Sequence, residues 1–594
     1  MPHVPGLARP NTLREDRADG SFVLRSGEPL QDYSRCVGDW LEHWAQQTPD
    51  VTAFAEPDGH GGWRELSWSA LRRQVGAVAQ SLLDMDLPAG RPVAILTDNG
   101  IEHVVLSLAA MHIGRPPCSV SSAYAKSPDH TRIRAILQTL RPALIYASDG
   151  ALYGPAMTSC DVGAVQVVGT NAQAVAGALC FADLLRTPES AHVRERWLAI
   201  GPDDHAKYLL TSGSTGAPKV VINTHRMLCA NQQSMTQVWQ FLAEEKPVLL
   251  DWLPWSHTFG GNHNLNMILC HGGTLYIDDG RPMPGLIERT LHNMRQCRPT
   301  LHFNVPRGFE VMLPLLEADD ALANAFLGSL RGVFYAGAAL PSATWQRLQT
   351  LARRIRGEPL WLTTSWGATE TAPAVTSAHF PLDQAGCIGV PLPGAELKFT
   401  PNGDKYELRV RGPCVFPGYR DAPDLTTAAF DDEGYYKIGD AGRLVDDAHP
   451  EQGVVFDGRV AEDFKLTSGT WVSVGTVRLA LVSALSPLAQ DAVITGHDRS
   501  ELGALVFLSP AGQALPPEER RQRVQQALQQ LRAGGSGSSA APGRVLLMEE
   551  PPSLDAGEIT DKGYVNQRAV LTRRSESVTA LYDDDADARV VQVA

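Results

Sequence analysis

The chain lacks the features that mark membrane-spanning, secreted and zinc-binding proteins. Its 594 residues contain no uninterrupted apolar run of about eighteen residues, the length that a membrane-spanning helix needs. The N-terminal segment, MPHVPGLARPNTLRED, has no apolar stretch of the kind that a secretory signal carries. The nine cysteines include no Cys-x-x-Cys pair, which argues against a zinc site and against a disulfide framework. We therefore expect a cytoplasmic protein with reduced thiols.

Positive charge is also scarce. There are 52 basic residues against 66 acidic ones, and the net charge of −14 disfavours binding to nucleic acid. A phosphate-bearing ligand would therefore depend on local features such as Mg²⁺, backbone N–H groups and a few placed cations. Only nine of the basic residues are lysine, yet Lys219, Lys437, Lys465 and Lys562 all fall in short motifs described below. A compact ammonium group interacts with phosphate differently from a planar guanidinium.

The pattern of apolar residues predicts the fold class. A chain of 594 residues is too long for one hydrophobic core, so two or more domains are expected. Between residues 92 and 370, short apolar runs alternate with amphipathic stretches, beginning with a strand pattern at 92–98 and a helix pattern at 101–114. Repeated units of this kind predict an α/β domain in which helices cover largely parallel sheets.

Two changes of texture suggest how the domains are arranged. A hairpin signal, Pro-Asn-Gly-Asp, indicates a β-rich subdomain at about 386–457, inside an N-terminal domain of residues 1–457. Residues 458–594 are predicted to form a smaller α+β domain. The tail at 577–594 carries an acidic run, and we expect it to be frayed or disordered.

The segment LLTSGSTGAPKV at 209–220 is the strongest local signal for a binding site. A predicted strand runs into glycines and hydroxylated residues, and such loops wrap a polyphosphate with backbone N–H groups and hydroxyls. The hydroxyls belong to Thr211, Ser212, Ser214 and Thr215. It is not a Walker A loop, because that pattern needs Gly-Lys-Ser/Thr and here Pro218 precedes Lys219. Taken alone, an ordinary Gly/Ser turn is the alternative interpretation.

This segment resembles the phosphate-binding signature of the adenylate-forming superfamily, which includes acyl-CoA synthetases, adenylation domains of peptide synthetases and luciferases. The other motifs of that superfamily follow in the family's order. They are PWSH at 254–257, AGAAL at 336–340, WGATE at 366–370, YKIGD at 436–440, Gly458-Arg459, and GEITDK at 557–562. An ordered series of this length is far less open to coincidence than one loop.

The resemblance implies an enzyme that joins a carboxylate to the α-phosphate of ATP. Glu370 and Thr211 would bind Mg²⁺, a hard cation that prefers oxygen ligands. Lys562 would bridge the acyl carboxylate and the α-phosphate, and His257 would line the acyl site and complete the catalytic set. Outside this series of motifs, Glu370 would be an ordinary cap or a solvated carboxylate and Lys562 a surface residue.

The resemblance also implies a set of nucleotide contacts. Thr369 would hold phosphate oxygens, Trp366 would stack on adenine, and Asp440 would accept hydrogen bonds from the ribose hydroxyls. Arg459 would contact the ribose or a phosphate. The full set is Ser212, Gly213, Ser214, Thr215, Gly216, Lys219, Gly337, Ala338, Ala339, Ser365, Trp366, Gly367, Thr369, Asp440 and Arg459.

The segments at 255–264, 463–472 and 558–567 look most like those of bacterial feruloyl-CoA synthetases. Physically, a flat ring with polar substituents suits a pocket of aromatic and polar side chains, although such aromatics often belong only to the core. The predicted pocket comprises His257, Phe259, Phe303, Asn304 and Tyr335. A metal site at His257, His263 and His271 is disfavoured by their irregular spacing and the lack of nearby carboxylates.

Three function classes remain open. The first is an acid–CoA ligase that uses ATP, Mg²⁺, coenzyme A and a small carboxylic acid, with a mobile C-terminal domain that rotates near Arg459. The second is an adenylation module for a carrier protein, although no carrier motif follows Lys562. The third is a noncatalytic relative, which the presence of both Glu370 and Lys562 argues against. The hinge departs from the family pattern at Ala461, and the oligomeric state is left open.

Overall fold

A computed structural model describes residues 4–592, except residues 212–217, 284, 339, 383–384, 404, 534–540, 554–555, 560–564 and 584–588. The chain divides into two compact units. The first comprises Met1–Phe399, Arg409–Ile438 and Leu444–Val454, and the second comprises Thr400–Leu408, Gly439–Arg443 and Val455–Ala594. None of the described helices is both long and apolar enough to cross a membrane.

The apolar runs that open the α/β pattern form a seven-stranded sheet in the first unit. Its strands are parallel except for one antiparallel pair at the edge, Lys219–Thr224 with His205–Thr211. The order continues through Pro117–Ser119, Val93–Ile95, Leu144–Asp149, Val165–Thr170 and Leu179–Cys180. Its helices include Ile101–His112, Ser122–Lys126, Thr131–Leu140, Gly150–Met157, Phe181–Leu184 and Ala191–Leu198.

Apolar spacing explains why these helices pack on the sheet. In Thr131–Leu140, the residues Ile133, Ile136, Leu137 and Leu140 recur at helical spacing and are buried. The predicted helix at 101–114 is confirmed as Ile101–His112, and Gly114 follows it with φ of 75°, a conformation that ends helices.

Two further sheets of the first unit carry the later motifs. In one, Val248–Asp251, Thr274–Ile277 and Thr52–Pro57 are parallel, and Trp63–Ser67 is antiparallel to the last of them. In the other, Leu301–Asn304, Gly332–Tyr335 and Trp361–Thr364 are all parallel. Their helices are Val37–Gln47, Trp68–Asp84, His225–Val238, Leu265–His271, Ile287–Gln296, Pro306–Ala318, Asp320–Leu327 and Ser342–Arg356. The prediction of helix-covered, largely parallel sheets is confirmed.

The β-rich region includes strands from the N-terminus that the sequence pattern did not assign to it. Thr12–Asp16 pairs with Phe22–Ser26, which pairs with Glu396–Asn402, both antiparallel, and Phe22 stacks on Phe399 with ring centroids 4.4 Å apart. Thr376–Ser377 pairs antiparallel with Cys387–Pro391. The remaining strands are Lys405–Arg411, Tyr436–Leu444 and Val454–Arg459, with the helix Pro423–Ala429.

The second unit contains the predicted α+β segment. A small hairpin joins Phe464–Lys465 to Trp471–Val472. A sheet follows in the order Ala489–Thr495, Gly503–Leu508, Arg544–Met548 and Val590–Gln592, with only the central pair parallel. Its helices are Val474–Ala484, Pro510–Ala514, Pro517–Ala533, Gln567–Arg573 and Ser575–Leu581.

The expectation of a frayed tail is wrong for its described residues. Ser575–Leu581 is a helix, and Val590–Gln592 is an edge strand paired with Arg544–Met548. Leu581 and Val590 are buried in a cluster with Leu546. Burial of these apolar side chains stabilises the folded tail, even though an acidic run lies next to them in the sequence.

Candidate functional site

The predicted phosphate loop lies between two paired strands. Thr211 ends the strand His205–Thr211, and Lys219 begins the antiparallel strand Lys219–Thr224, where the two residues are direct partners. Both are half-buried. The loop residues between them, Ser212, Gly213, Ser214, Thr215 and Gly216, lie outside the described residues. The pairing places a hydroxyl-bearing residue and an ammonium-bearing residue at the two ends of this loop.

Glu370 is a buried carboxylate in the short 3₁₀ helix Thr369–Thr371, with only 7% of its surface exposed. The hydroxyl of Tyr419 donates to its Oε1 over 3.0 Å, and its backbone carbonyl accepts from the N–H of Phe416 over 2.8 Å. Burial, together with the adjacent Glu370, raises the pKa of Tyr419, so this phenol stays protonated. The hydrogen-bond partner described for the Glu370 carboxylate is thus a neutral phenol, which does not neutralise its charge. Such a carboxylate fits a hard cation that also binds phosphate oxygens.

Tyr419 connects Glu370 with the phosphate-loop lysine. Nζ of Lys219 lies 4.9 Å from the centroid of the Tyr419 ring, within the range of a cation–π interaction. Backbone contacts hold the tyrosine there, because it forms an isolated β-bridge with Val221 and the N–H of Arg420 donates to the carbonyl of Val220 over 2.9 Å. Sequence reasoning missed Tyr419, which stands 49 residues from Glu370 and belongs to none of the recognised motifs.

The motif around Trp366 is held by a close backbone turn. The N–H of Trp366 donates to Oγ1 of Thr376 over 3.2 Å, and the hydroxyl of Ser365 donates to the carbonyl of Thr376. Gly367 has φ of 159°, and a Cβ there would lie 1.8 Å from the carbonyl oxygen of Pro373, so only glycine fits. Trp366 itself is buried.

One edge of the three-stranded sheet collects the predicted adenine-side residues. The strands Gly332–Tyr335 and Trp361–Thr364 are adjacent and parallel, so the residues that follow both strands emerge at the same edge. Gly337 and Ala338 are exposed there, and Gly337 has φ of 88°. Ala339 lies outside the described residues.

The segment after His257 forms a π-helix, Phe259–Asn264, a rare element often found at functional sites. A Cβ on Gly260 would lie 2.4 Å from the carbonyl oxygen of Leu253, and one on Gly261 would lie 2.3 Å from that of Trp255. The paired glycines therefore allow this helix to approach the preceding backbone closely. His257 is half-buried at its start.

Four of the five predicted pocket residues, all except His257, are divided between two faces of the three-stranded sheet. Phe303 lies with Phe259 on one face, their ring centroids 6.3 Å apart. On the other face, Nδ2 of Asn304 lies 3.6 Å from the sulfur of Met312, and Tyr335 packs in the same helix-covered core as Met312. Neighbouring residues of a strand point to opposite faces, which accounts for the division. The pocket assignment of all five stays a prediction.

Buried polar side chains that the sequence did not reveal support the π-helix. Nζ of Lys207 donates to the carbonyl of Gly261 over 2.5 Å, and burial lowers the pKa of this lysine to about 7. Nε2 of Gln232 lies 3.4 Å and 3.3 Å from the carbonyls of Asn262 and His263. Such contacts satisfy carbonyls that the irregular helix leaves without the usual partner.

The π-helix is also linked to the carboxylate motif. Nδ2 of Asn262 donates to Oδ1 of Asn223 over 2.8 Å, and Nδ2 of Asn223 donates to the carbonyl of Thr369 over 3.2 Å. All three residues are buried. The predicted acyl-side and phosphate-side segments are therefore joined through two asparagine side chains.

Two of the predicted nucleotide contacts lie in the second unit. Asp440 is buried, and its Oδ1 is 3.4 Å from Nε of the exposed Arg459. The N–H of Val460 donates to the carbonyl of Gly439 over 3.0 Å, which keeps the two segments together. Lys562, the predicted catalytic lysine, lies outside the described residues.

In the second unit, the ammonium group of Lys405 makes several hydrogen bonds near the segment where the hinge motif departs from the family. Nζ of Lys405 donates to the carbonyl of Asp457 over 2.9 Å, to Oδ2 of Asp463 over 2.6 Å and to Oγ of Ser473 over 2.8 Å. Residues that precede Ala461 and residues that follow it therefore bind the same ammonium group.

Comparison with protein families places these residues in a known context. Residues 41–420 match the family model described as AMP-binding enzyme, and residues 465–586 match the model described as AMP-binding enzyme C-terminal domain. Thr211, His257 and Glu370 fall within the first match and Lys562 within the second.

Individual relatives are distant. The probable CoA ligase CCL8 of Humulus lupulus is 26% identical over 388 residues, covering 61% of this chain and 61% of that protein. The atromentin synthetase nps3 of Serpula lacrymans var. lacrymans is 24% identical over 494 residues, covering 77% of this chain and 48% of that protein. The chain thus spans between about half and two thirds of these relatives.

The fold is shared with solved structures. The crystal structure of the anthranilate CoA ligase AuaEII in complex with anthranoyl-AMP superposes with a TM-score of 0.73 at 21% identity. The superposed region covers 93% of this chain and 99% of the chain in that structure.

Proposed function

Because the chain belongs to the AMP-binding enzyme family, we propose that it activates a hydroxycinnamic acid such as ferulic acid with ATP and transfers the acyl group to coenzyme A. The buried Glu370, held beside Lys219 by Tyr419, is the observation that carries this proposal. It would bring a cation ligand together with a phosphate-binding ammonium at the predicted phosphate loop, which Thr211 and Lys219 flank.

In the first half-reaction, an oxygen of the acid attacks the α-phosphorus of ATP and pyrophosphate leaves. Thr211, Thr369 and Lys219 bind phosphate oxygens, and Lys562 neutralises the charge where carboxylate and α-phosphate meet. Glu370 and Thr211 would hold Mg²⁺, which neutralises phosphate charge when it is bound. Asp440 and Arg459 hold the ribose.

In the second half-reaction, the thiol of coenzyme A attacks the acyl carbon and AMP leaves. We propose that the domain of residues 458–594 is mobile relative to residues 1–457, so that Lys562 serves the first half-reaction and withdraws for the second. Hinge segments absorb such rotations without taking part in the chemistry, so the change at Ala461 is compatible with this cycle.

An aromatic acid is supported by the ring cluster that follows His257. Phe259, Phe303 and Phe334 lie with ring centroids 5.3 to 6.3 Å apart, in the range of favourable aromatic contacts. A flat aromatic acid fits beside such rings better than a short dicarboxylate does.

A carrier protein is the alternative acceptor. The atromentin synthetase relative is about twice the length of the part that aligns, so a longer enzyme is built on the same module. A ligase for another aromatic acid or for a fatty acid is the alternative in substrate class.

The experiment is to mix purified protein with ATP, Mg²⁺, coenzyme A and a panel of acids, and to measure AMP and acyl-CoA together. The panel contains ferulate, 4-coumarate, benzoate, octanoate and malonate. We expect equal amounts of AMP and hydroxycinnamoyl-CoA. Thioester from octanoate or malonate alone would contradict the substrate class. Acid-dependent release of pyrophosphate with neither AMP nor thioester would favour a carrier-protein acceptor.

A further inference from the structure

His263 is a buried histidine inside the ring cluster. It lies in the π-helix Phe259–Asn264 with 1% of its surface exposed. Its ring centroid is 4.9 Å from that of Phe334, 5.3 Å from Phe303 and 6.0 Å from Phe259. Among the described residues, its Nε2 has no hydrogen-bond partner. A buried polar atom left without a partner calls for an explanation, since it costs free energy.

The hydrogen-bond chain behind His263 decides which nitrogen carries the proton. Nδ2 of Asn264 donates to Oδ2 of Asp251 over 2.8 Å, because an amide nitrogen can only donate, so this end of the amide faces the carboxyl group. The other end of the same amide, Oδ1 of Asn264, therefore accepts from Nδ1 of His263 over 3.0 Å. With its proton on Nδ1, the imidazole presents a lone pair on Nε2. Asp251 and Asn264 thus act as positioning residues for this acceptor.

The protonation state agrees with that assignment. Burial lowers the pKa of His263 to about 4, so the imidazole is neutral near neutral pH and Nε2 keeps its lone pair. A ligand group that pairs with this nitrogen must then be a hydrogen-bond donor.

We propose that Nε2 of His263 accepts a hydrogen bond from the phenolic hydroxyl of the aromatic acid, which makes His263 a specificity-determining residue. The inference rests on the proposed function, because it assumes that the acyl group enters beside Phe259 and Phe303. It goes further in naming the atom that separates hydroxylated acids from those without a hydroxyl. Ring contacts alone would bind an acid with or without a hydroxyl group. Binding of an acid without the hydroxyl leaves the buried Nε2 acceptor unpaired, which disfavours that acid.

The first test uses the unaltered protein with five acids: cinnamate, 3- and 4-hydroxycinnamate, and 3- and 4-methoxycinnamate. The methoxy acids keep the oxygen and remove its proton. We expect kcat/KM for at least one hydroxy acid to exceed that for cinnamate and for its methoxy partner by about tenfold or more. Equal kcat/KM values for all five acids would overturn the inference.

The second test compares His263→Phe with His302→Phe. His302 is also buried, its Nδ1 also lacks a partner among the described residues, and burial also lowers its pKa to about 4. It packs against Phe309 and Phe326 instead, away from the π-helix cluster. We expect His263→Phe to bring the hydroxy-to-unsubstituted ratio to about one while turnover of cinnamate persists. We expect His302→Phe to keep the ratio of the unaltered protein.

Loss of the ratio in both variants, or in neither, would contradict the assignment to His263. The result for unaltered protein stands even if a variant fails to fold. Failure of the proposed function has a different signature, because no aromatic acid would then yield AMP. Aromatic acids that are all activated without preference for a hydroxyl would overturn this inference alone and leave the proposed function intact. A hydroxyl preference that survives His263→Phe would show that another group accepts the bond.

Discussion

Lys562→Ala is expected to reduce acyl-adenylate formation by about a thousandfold while leaving thioester formation from a supplied acyl-adenylate within about threefold. The loss corresponds to about 4 kcal/mol of transition-state stabilisation, a magnitude reached by single groups that meet developing charge. The second half-reaction involves no attack on phosphorus, so it does not need this ammonium. The measurement is a pair of single-turnover assays, one begun with ATP and acid and one with synthetic acyl-adenylate and coenzyme A.

Lys246→Ala provides the matched control for this lysine. Lys246 is exposed, lies in none of the motifs and rests 4.6 Å from the centroid of the Trp44 ring. Its removal should leave both half-reactions unchanged. Equal losses in both half-reactions for Lys562→Ala would refute the division of labour between them.

Glu370→Gln is expected to lower AMP formation by a factor of about a hundred to a thousand. Glutamine has the same shape and keeps an oxygen for the hydroxyl of Tyr419, 3.0 Å away in the native protein, so the fold should survive. The charge that we propose to bind Mg²⁺ is lost, and neutralisation of the phosphates would be lost with it. The rate should be measured over a range of Mg²⁺ concentrations, and half-saturation should require much more Mg²⁺.

Tyr419→Phe separates the charge of Glu370 from its support. This variant removes the hydrogen bond to Glu370 and keeps the carboxylate, so we expect a loss of less than about tenfold. If Tyr419→Phe costs as much as Glu370→Gln, the carboxylate acts through its position in the fold and not as a cation ligand.

Local patterns in the sequence predicted much of the architecture. The strand pattern at 92–98 and the helix pattern at 101–114 appear as Val93–Ile95 and Ile101–His112. Both depend on residues close together in the chain, where burial imposes a visible period. The hairpin at Phe464–Lys465 and Trp471–Val472 was predictable for the same reason.

Long-range contacts were less accessible from the sequence. The π-helix depends on Lys207, which lies 54 residues from Gly261, and no local period marks that pair. The N-terminal strand Phe22–Ser26 pairs with Glu396–Asn402, across most of the chain. The acidic run at the C-terminus concealed a short apolar strand whose partner, Arg544–Met548, is distant in sequence.

The pocket prediction illustrates a limit of motif reasoning. Phe303 and Asn304 are consecutive residues of one strand, and the alternation of side chains places them on opposite faces of the sheet. Applying that alternation to the sequence would have separated them. The sequence, by contrast, suggested only a metal-ligand role for His263. Its Nε2 is recognised as a hydrogen-bond acceptor only through the hydrogen-bond chain from His263 through Asn264 to Asp251.

The central claim is that a carboxylate oxygen of the acid becomes bonded to the α-phosphorus of ATP. It is tested most directly with the preferred acid labelled with oxygen-18 in both carboxylate positions, turned over with ATP, Mg²⁺ and coenzyme A. Mass spectrometry of the AMP should find one labelled oxygen per molecule, because the bridging oxygen stays on phosphorus when the thiol attacks the acyl carbon. Unlabelled AMP, or label in orthophosphate together with ADP, would contradict an acyl-adenylate intermediate.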